Sequence, residues 1–358
     1  MLLKMNKIKL MKLKTYVLST LCLLALLSSC NKDDDNSIDL IPERDRTEQQ
    51  VADFDSLQKY LKTHYYNRAA FAEPGNHTIS EIIIKELPKD DNGNYLDMPD
   101  PDHNQMLSVA VDIDNPRKAK FLGVDYEFYI LMLNKGGGEH PYFADLIRVR
   151  YDGFLSNGNS FEDNSTPVNT DLANVIHGWR EVFPEFKTAE SFVENGDGSV
   201  SFNNYGLGVM FLPSGLAYFS EPRGSIPAYS NLMYKFELLQ SEIADHDGDG
   251  IPSYMEDLNG DKNLYNDNTN GNQFPNFMDP DDDGDRVLTI NEMTRQTYTV
   301  DTNNGEQEPT LAEHEFLRSR TEADGVITIK TLKYIDSDGD GVWDHLQKDV
   351  KKDYSIDD

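Results

Sequence analysis

Asp245, Asp247 and Asp249 stand at alternate positions, Gly250 follows, and Glu256 lies six residues after the glycine. That is the spacing of a twelve-residue calcium loop. Oxygen ligands at positions 1, 3 and 5 turn inward together, glycine at 6 permits the sharp bend, and glutamate at 12 closes the coordination sphere with both oxygens. Ser253, at position 9, is placed to hold a water. Asp281, Asp283 and Asp285 with Glu292 repeat the pattern, except that Arg286 replaces the glycine; a second register, Asp279, Asp281 and Asp283 with Gly284, restores the glycine and loses the glutamate. A third copy, Asp336, Asp338, Asp340 and Gly341, has Asp344 at position 9 and Gln347, a weaker ligand, at position 12. Residues 269–276 read as an eroded copy with amides in place of acids. The chemistry expected is structural calcium binding, with no cofactor for catalysis. The alternative is a solvated acidic spacer.

The elements around these loops differ sharply in composition. From Asp245 to Glu292 there are 13 acidic residues against Lys262 and Arg286, so the segment is either disordered or organised by cations. The change after Leu239 sets a boundary: loops over 244–292, then a C-terminal region over 293–358 with a strand at 326–332 and the third loop. Upstream, Phe54, Leu57, Tyr60, Leu61 and Tyr65 recur at helical spacing and predict a helix over 47–66. With short strands at 82–84 and 106–111 it forms a region over 47–124 that offers no chemistry. Strands at 126–133, 146–151, 209–212 and 232–239 and a short helix at 174–186 predict an α+β unit over 125–243, dominated by antiparallel strands. Gly136-Gly137-Gly138 reads as a turn, since no Lys-Ser/Thr follows. Asn195-Gly196-Asp197-Gly198 reads as a hairpin turn within the long 188–208 connection.

At the start of the chain Lys4, Lys7, Lys9, Lys12 and Lys14 precede an apolar run over 16–27, then Ser28, Ser29 and Cys30. This is the pattern of a secretory signal over 1–29, too short for a membrane span. Leu27-Ser28-Ser29-Cys30 resembles a bacterial lipobox, which implies lipidation of Cys30 and attachment to a membrane through it. Asn31-Lys32-Asp33-Asp34-Asp35 resembles a surface-export tag; a solvated tether over 30–46 is the other reading. The expectation is an outer membrane lipoprotein facing the periplasm or the cell surface. Cys22 falls within the leader, so a processed chain would keep one cysteine and no internal disulfide.

The 358 residues carry 33 Lys+Arg against 63 Asp+Glu, a net charge of -30, which disfavours nucleic acid as a partner. There is no G-x-S-x-G and no H-E-x-x-H, and the eight His form no partner pattern. A nucleophilic or zinc hydrolase is therefore not expected.

Val149-Arg150-Tyr151-Asp152-Gly153 followed by Phe161, then Val175-Ile176-His177-Gly178-Trp179, Leu216-Ala217-Tyr218, Ile226-Pro227 and the strand from Leu232 to Leu238 form an ordered series. The series resembles the FKBP family of peptidyl-prolyl isomerases over about a third of the chain. The resemblance implies an antiparallel half-barrel wrapped on a short helix, with an aromatic pocket between them. It makes Trp179 the pocket floor and Tyr151, Phe161, Val175, Ile176, Ile226 and Tyr234 its walls. The Tyr218 hydroxyl and the Ile176 N–H become donors to bound peptide. Glu162 falls where the family usually has Asp, and Val168 stands near a position that is often aromatic.

The spacing of the acidic loops and their Gly-Ile-Pro step resemble thrombospondin type 3 repeats, which implies a chain with little core organised by calcium. The functional expectation is a lipid-anchored prolyl isomerase or foldase, acting on proline-containing segments of exported proteins, with a calcium-ordered extension. A non-catalytic peptide-binding or adhesion module on the same fold, with the loops as a stiff spacer, is the competing reading.

Overall fold

The computed structural model describes residues 42–356. The leader, Cys30 and most of the tether expected over 30–46 lie outside them. The first helix, α1, spans Arg46–Thr63; the Asp45 side chain caps it by accepting from the Thr47 and Glu48 N–H groups. It ends before the expected residue 66 because His64–Tyr66 leave it as strand β1, which pairs antiparallel with β2 (Ile84–Glu86) and β3 (Gln105–Met106). The strand expected over 106–111 is mostly absent. Leu107–Ala110 instead form a helical turn, α2, because Leu107 and Val111, one turn apart, both bury against α1 and its neighbours.

Strands β4 (Arg117–Phe121), β5 (Val124–Asn134), β6 (Leu146–Phe154) and β7 (Ser160–Asp171) come next. A one-and-a-half-turn helix α3 (His177–Val182), the hairpin β8 (Ser191–Glu194) and β9 (Val200–Asn203), then β10 (Gly206–Leu212) and β11 (Leu232–Glu242) follow. Six strands form one antiparallel sheet in the order β4-β5-β10-β11-β6-β7. The sheet thus starts at Arg117, ahead of the boundary expected at 124/125. The helix expected over 174–186 is interrupted by single 3-10 turns at Leu172–Asn174 and Phe183–Glu185, the second carrying Pro184, which cannot donate to a continuing helix.

Both faces of this sheet are covered. Along β5, Tyr126, Phe128 and Ile130 face α3, whereas Tyr129 and Leu131 face α1; along β10, Met210 and Leu212 oppose Val209 and Phe211 in the same way. Alternate residues feed two cores, which is why these strands read as unbroken apolar runs. Residues 46–113 therefore supply the layer over the back of the sheet. Asp53 on α1 fastens it: its carboxylate accepts from the Ser214 N–H at 2.8 Å, the Ser214 hydroxyl at 2.6 Å and the Gln49 amide at 2.6 Å.

Beyond β11 the acidic loops run to a three-stranded antiparallel sheet, β12 (Thr294–Asp301), β13 (Glu315–Ala323) and β14 (Val326–Lys333), in the order β12-β14-β13. The loops carry only small apolar clusters. Ile251, Met293, Phe316 and Leu332 form one with the C-terminal sheet. Leu264 and Phe277 form another with Ala144 and Ala173 of the larger sheet's connections.

Candidate binding cleft and acidic loops

The cleft is built where β6, β11 and α3 converge. Tyr151 projects from β6, Tyr234 from β11 beside it in register with Gly153, and Trp179 from α3 beneath them. Their rings meet edge to face: Tyr151–Trp179 at 4.9 Å and 87°, Trp179–Tyr234 at 5.3 Å and 89°. Gly153 is required by close approach, since a Cβ there would lie 2.5 Å from the Phe161 ring and 3.0 Å from that of Tyr234. Space of about 380 Å³ remains, lined by Tyr151, Glu162, Val175, Ile176, Trp179, Tyr218 and Tyr234.

Seven of the nine residues expected at the site thus line one cleft. Phe161 and Ile226 do not; Ile226 is buried in the core cluster, and half-buried Phe161 packs against that cluster, edge-on to Tyr234 at 5.5 Å. Thr170, Asn174 and Arg223 line it as well and were not expected. Val168 packs against the core and is absent from the lining. No residue of 188–208 lines it either, so the long β8–β9 hairpin leaves it open. Thr170 and Asn174 carried no sequence signal, and Arg223 was visible only as a charge in the 218–226 loop.

Polar groups around the cleft fall into two kinds. Tyr151 donates to Glu162 at 2.6 Å, and Asn164 donates to the same oxygen at 3.1 Å, so the extra methylene of Glu162 is accommodated. The Tyr218 hydroxyl and the Ile176 N–H have no acceptor among the described residues. The buried Trp179 indole N–H also lacks one. Burial raises the phenols of Tyr151, Tyr218 and Tyr234, assisted at Tyr151 by the bond to Glu162, so all three stay protonated donors near neutral pH. Arg223 lies over the Tyr218 ring at 5.0 Å, with Glu221 at 3.1 Å.

The acidic loops share one geometry. In each, the first Asp accepts from the N–H groups of positions 4 and 6: Gly248 and Gly250 on Asp245, Gly284 and Arg286 on Asp281, Gly339 and Gly341 on Asp336. This decides the register of the second loop in favour of Asp281. Arg286 keeps the bend by adopting φ +84, close to the +95 of Gly250. Carboxylate oxygens of Asp245, Asp247 and Asp249 lie within 4.8 Å of one another, as do those of Asp281, Asp283 and Asp285, and of Asp336, Asp338 and Asp340.

Two further groups were not expected. Asp282 joins Asp249 and Glu256, all three buried, and Asp257, Asp261 and Asp267 form a group of their own. Asp282 looked like a spacer between alternate ligands, and the second group hid because its loop has Asn259 at position 3 and Lys262 at position 6. Glu256, 3% exposed, has neither oxygen hydrogen-bonded. Asp247, Asp249, Asp282, Asp283 and Glu292 each bury an oxygen without a hydrogen bond, and that of Asp285 has only the Lys351 ammonium, at 3.8 Å. Burial first, then neighbouring carboxylates, push Asp249 up to about 8 and Glu292 up to about 9. Such oxygens fit a hard divalent cation. Gln347 instead turns its amide N–H to Asp340 at 3.1 Å.

Sequence comparison gives this geometry a setting. The chain is 33% identical over 117 residues to the FKBP-type peptidyl-prolyl cis-trans isomerase FkpA of Aeromonas hydrophila, covering 32% of this chain and 38% of that protein. It is 31% identical over 108 residues to the isomerase of the same name from Buchnera aphidicola, covering 29% and 37%. A third of this chain is similar to FKBP-type isomerases. The chain spans under two fifths of the length of these curated relatives. Among solved structures, FkpA from Escherichia coli matches at 26% identity, covering 32% of this chain and 48% of that one, with a TM-score of 0.27. A peptidyl-prolyl isomerase from Pseudomonas syringae pv. tomato matches at 24%, covering 32% and 75%, also at 0.27. A family model described as BamM C-terminal matches residues 246–317, which lie outside the cleft and include the first acidic loops.

Proposed function

We propose that the protein is an FKBP-like prolyl isomerase that binds X-Pro segments over Trp179. The observation that carries this is an open aromatic cleft with two donors at its rim, the Tyr218 hydroxyl and the Ile176 N–H, that meet no acceptor among the described residues. Rotation about X-Pro is opposed by amide resonance, a barrier of about 18–20 kcal/mol, and crossing it breaks no σ bond. In the twisted amide the nitrogen lone pair is no longer shared with the carbonyl. Aromatic walls that exclude water from the ring, with fixed donors at the adjoining carbonyls, favour that state over the planar one. The Tyr151–Glu162 bond holds the wall ring in place, and no nucleophile takes part.

The acidic loops belong to this reading as calcium sites, supported by the partnerless buried oxygens of Asp249, Glu256 and Glu292. Calcium there supplies charge neutralisation and order, not a reacting centre. The basic and apolar leader that ends just before Cys30 supports attachment to the outer membrane by lipid on that cysteine, with exported polypeptides as the substrates.

A proline-limited peptide assay on the full chain tests the enzyme. The wild type accelerates isomerisation, and Trp179→Ala abolishes the acceleration; equal rates for both reject the proposal. The second reading, a non-catalytic peptide-binding or adhesion module, is favoured by Arg223, which lies over the Tyr218 ring and puts a charged side chain in the lining of the aromatic cleft. Saturable peptide binding without acceleration would select it.

A further inference from the structure

The loop between Asp257 and Asp267 touches the functional cleft from behind. Its Lys262 carbonyl accepts from the Arg180 guanidinium at 3.1 Å, and that guanidinium also donates to the carbonyls of Leu172 at 2.9 Å, Ala173 at 2.6 Å and Val175 at 3.4 Å. One buried cation therefore ties the loop to the segment that delivers Val175, Ile176 and Trp179. The Lys262 ammonium pairs with Glu181 at 2.5 Å, and Glu181 pairs with His177 at 3.1 Å. The Tyr265 hydroxyl donates to Asn174, itself part of the cleft lining, at 2.5 Å. Leu264 packs on Ala173.

The conformation of this loop depends on its acids. Asp257 accepts from the N–H groups of Gly260 at 3.0 Å, Asp261 at 3.1 Å and Lys262 at 2.8 Å, and Asp261 accepts from that of Asn263 at 2.8 Å. Lys262 is held at φ +58, a left-handed conformation that disfavours a non-glycine residue. Asp267 is 5% exposed; one of its oxygens accepts from Asn259 at 3.2 Å and the other has no partner. Oxygens of Asp257, Asp261 and Asp267 lie within 4.8 Å of one another. Three carboxylates brought this close, one with a buried oxygen that no donor reaches, repel one another unless a cation joins them.

We infer that a divalent cation held by Asp257, Asp261 and Asp267 controls the cleft, ordering residues 172–181 through Lys262 and so setting the affinity for an X-Pro peptide. The peptide half of this statement rests on the reading of the Trp179 cleft given above. The ordering half does not.

The test follows amide hydrogen exchange in the full chain, with calcium alone as the probe. Chelation is expected to speed exchange across 172–181 by about tenfold, with β10 and β11 unchanged as an internal control of folding. Asp267→Asn should bind one calcium fewer by calorimetry and exchange at 172–181 as the chelated wild type does, even in saturating calcium. Lys262→Met removes the ammonium pair with Glu181 and keeps the carbonyl that accepts from Arg180, so it should keep the wild-type stoichiometry and lose only part of the calcium effect on 172–181. Exchange at 172–181 that ignores calcium, or Asp267→Asn that binds the full complement, overturns the inference. A parallel titration with an X-Pro tetrapeptide separates the two claims: binding that tightens with calcium supports both, whereas no binding to the loaded wild type overturns the peptide reading and leaves exchange to decide the ordering.

Discussion

Replacing Tyr218 by Phe removes one hydroxyl that has no protein partner among the described residues, and nothing else. No buried acceptor is orphaned, so the stability of the full chain should stay within about 0.5 kcal/mol of wild type. If that hydroxyl donates to the bound peptide as its amide twists, turnover loses one neutral hydrogen bond of about 0.5–1.5 kcal/mol, or roughly two- to thirteenfold in kcat/KM. Burial keeps the phenol protonated, so the deficit should be constant from about pH 6 to 8. Tyr151→Phe makes the contrast. Its hydroxyl donates to a carboxylate at 2.6 Å, so its loss should cost about 1.5–3 kcal/mol of stability as well as activity. Proline-limited peptide kinetics and urea unfolding on the same preparations read both quantities. Wild-type kcat/KM in Tyr218→Phe, or a stability loss above about 1 kcal/mol there, would refute the reasoning.

Other perturbations follow from single contacts. Gly178→Ala places a Cβ 2.6 Å from a Leu212 methyl beneath the cleft, and should cost about 1–3 kcal/mol in urea unfolding. Burial pushes the Asp145 carboxyl up to about 6, against 3.8 when exposed, so its contribution to stability is complete below pH 3.8 and is lost as pH rises through 6. Asp145→Asn should flatten the stability profile over that window, by on the order of 2 kcal/mol, as read by unfolding at pH 4 and pH 7. Glu256→Gln removes one of three crowded buried carboxylates. It should raise the melting temperature of chelated protein and lower that of calcium-loaded protein; a shift of the same sign in both states would show that Glu256 is not a ligand.

What the sequence disclosed follows from how each feature is encoded. The runs 126–133 and 232–239 declare strands because both faces are buried, yet that same continuity hides which face meets which core. Strand β7 was invisible: an edge strand with polar side chains and Pro167 has no apolar alternation to read. The cleft was legible through Trp179, Tyr151 and Tyr234, whose order along the chain carries the family resemblance. Phe161 and Ile226, expected as walls, are absent from the lining because an apolar side chain reads alike whether it faces the cleft or the core. Among the acids, alternate spacing revealed Asp245 and Asp281, whereas Asp282 acquires its partners from another loop and Asp267 closes a loop whose Asn259 and Lys262 break the pattern.

The layer that α1 lays over the back of the sheet sets a rule for cutting the chain. Excising residues 125–243 to match the isomerase relatives would strip Leu131, Val209, Phe211 and Met233 of their cover and delete the β4 edge. The fragment would present a greasy, open-edged slab prone to stick to its own kind. Expression boundaries, and any recombination that moves this fold between proteins, must carry the amino-terminal helix along.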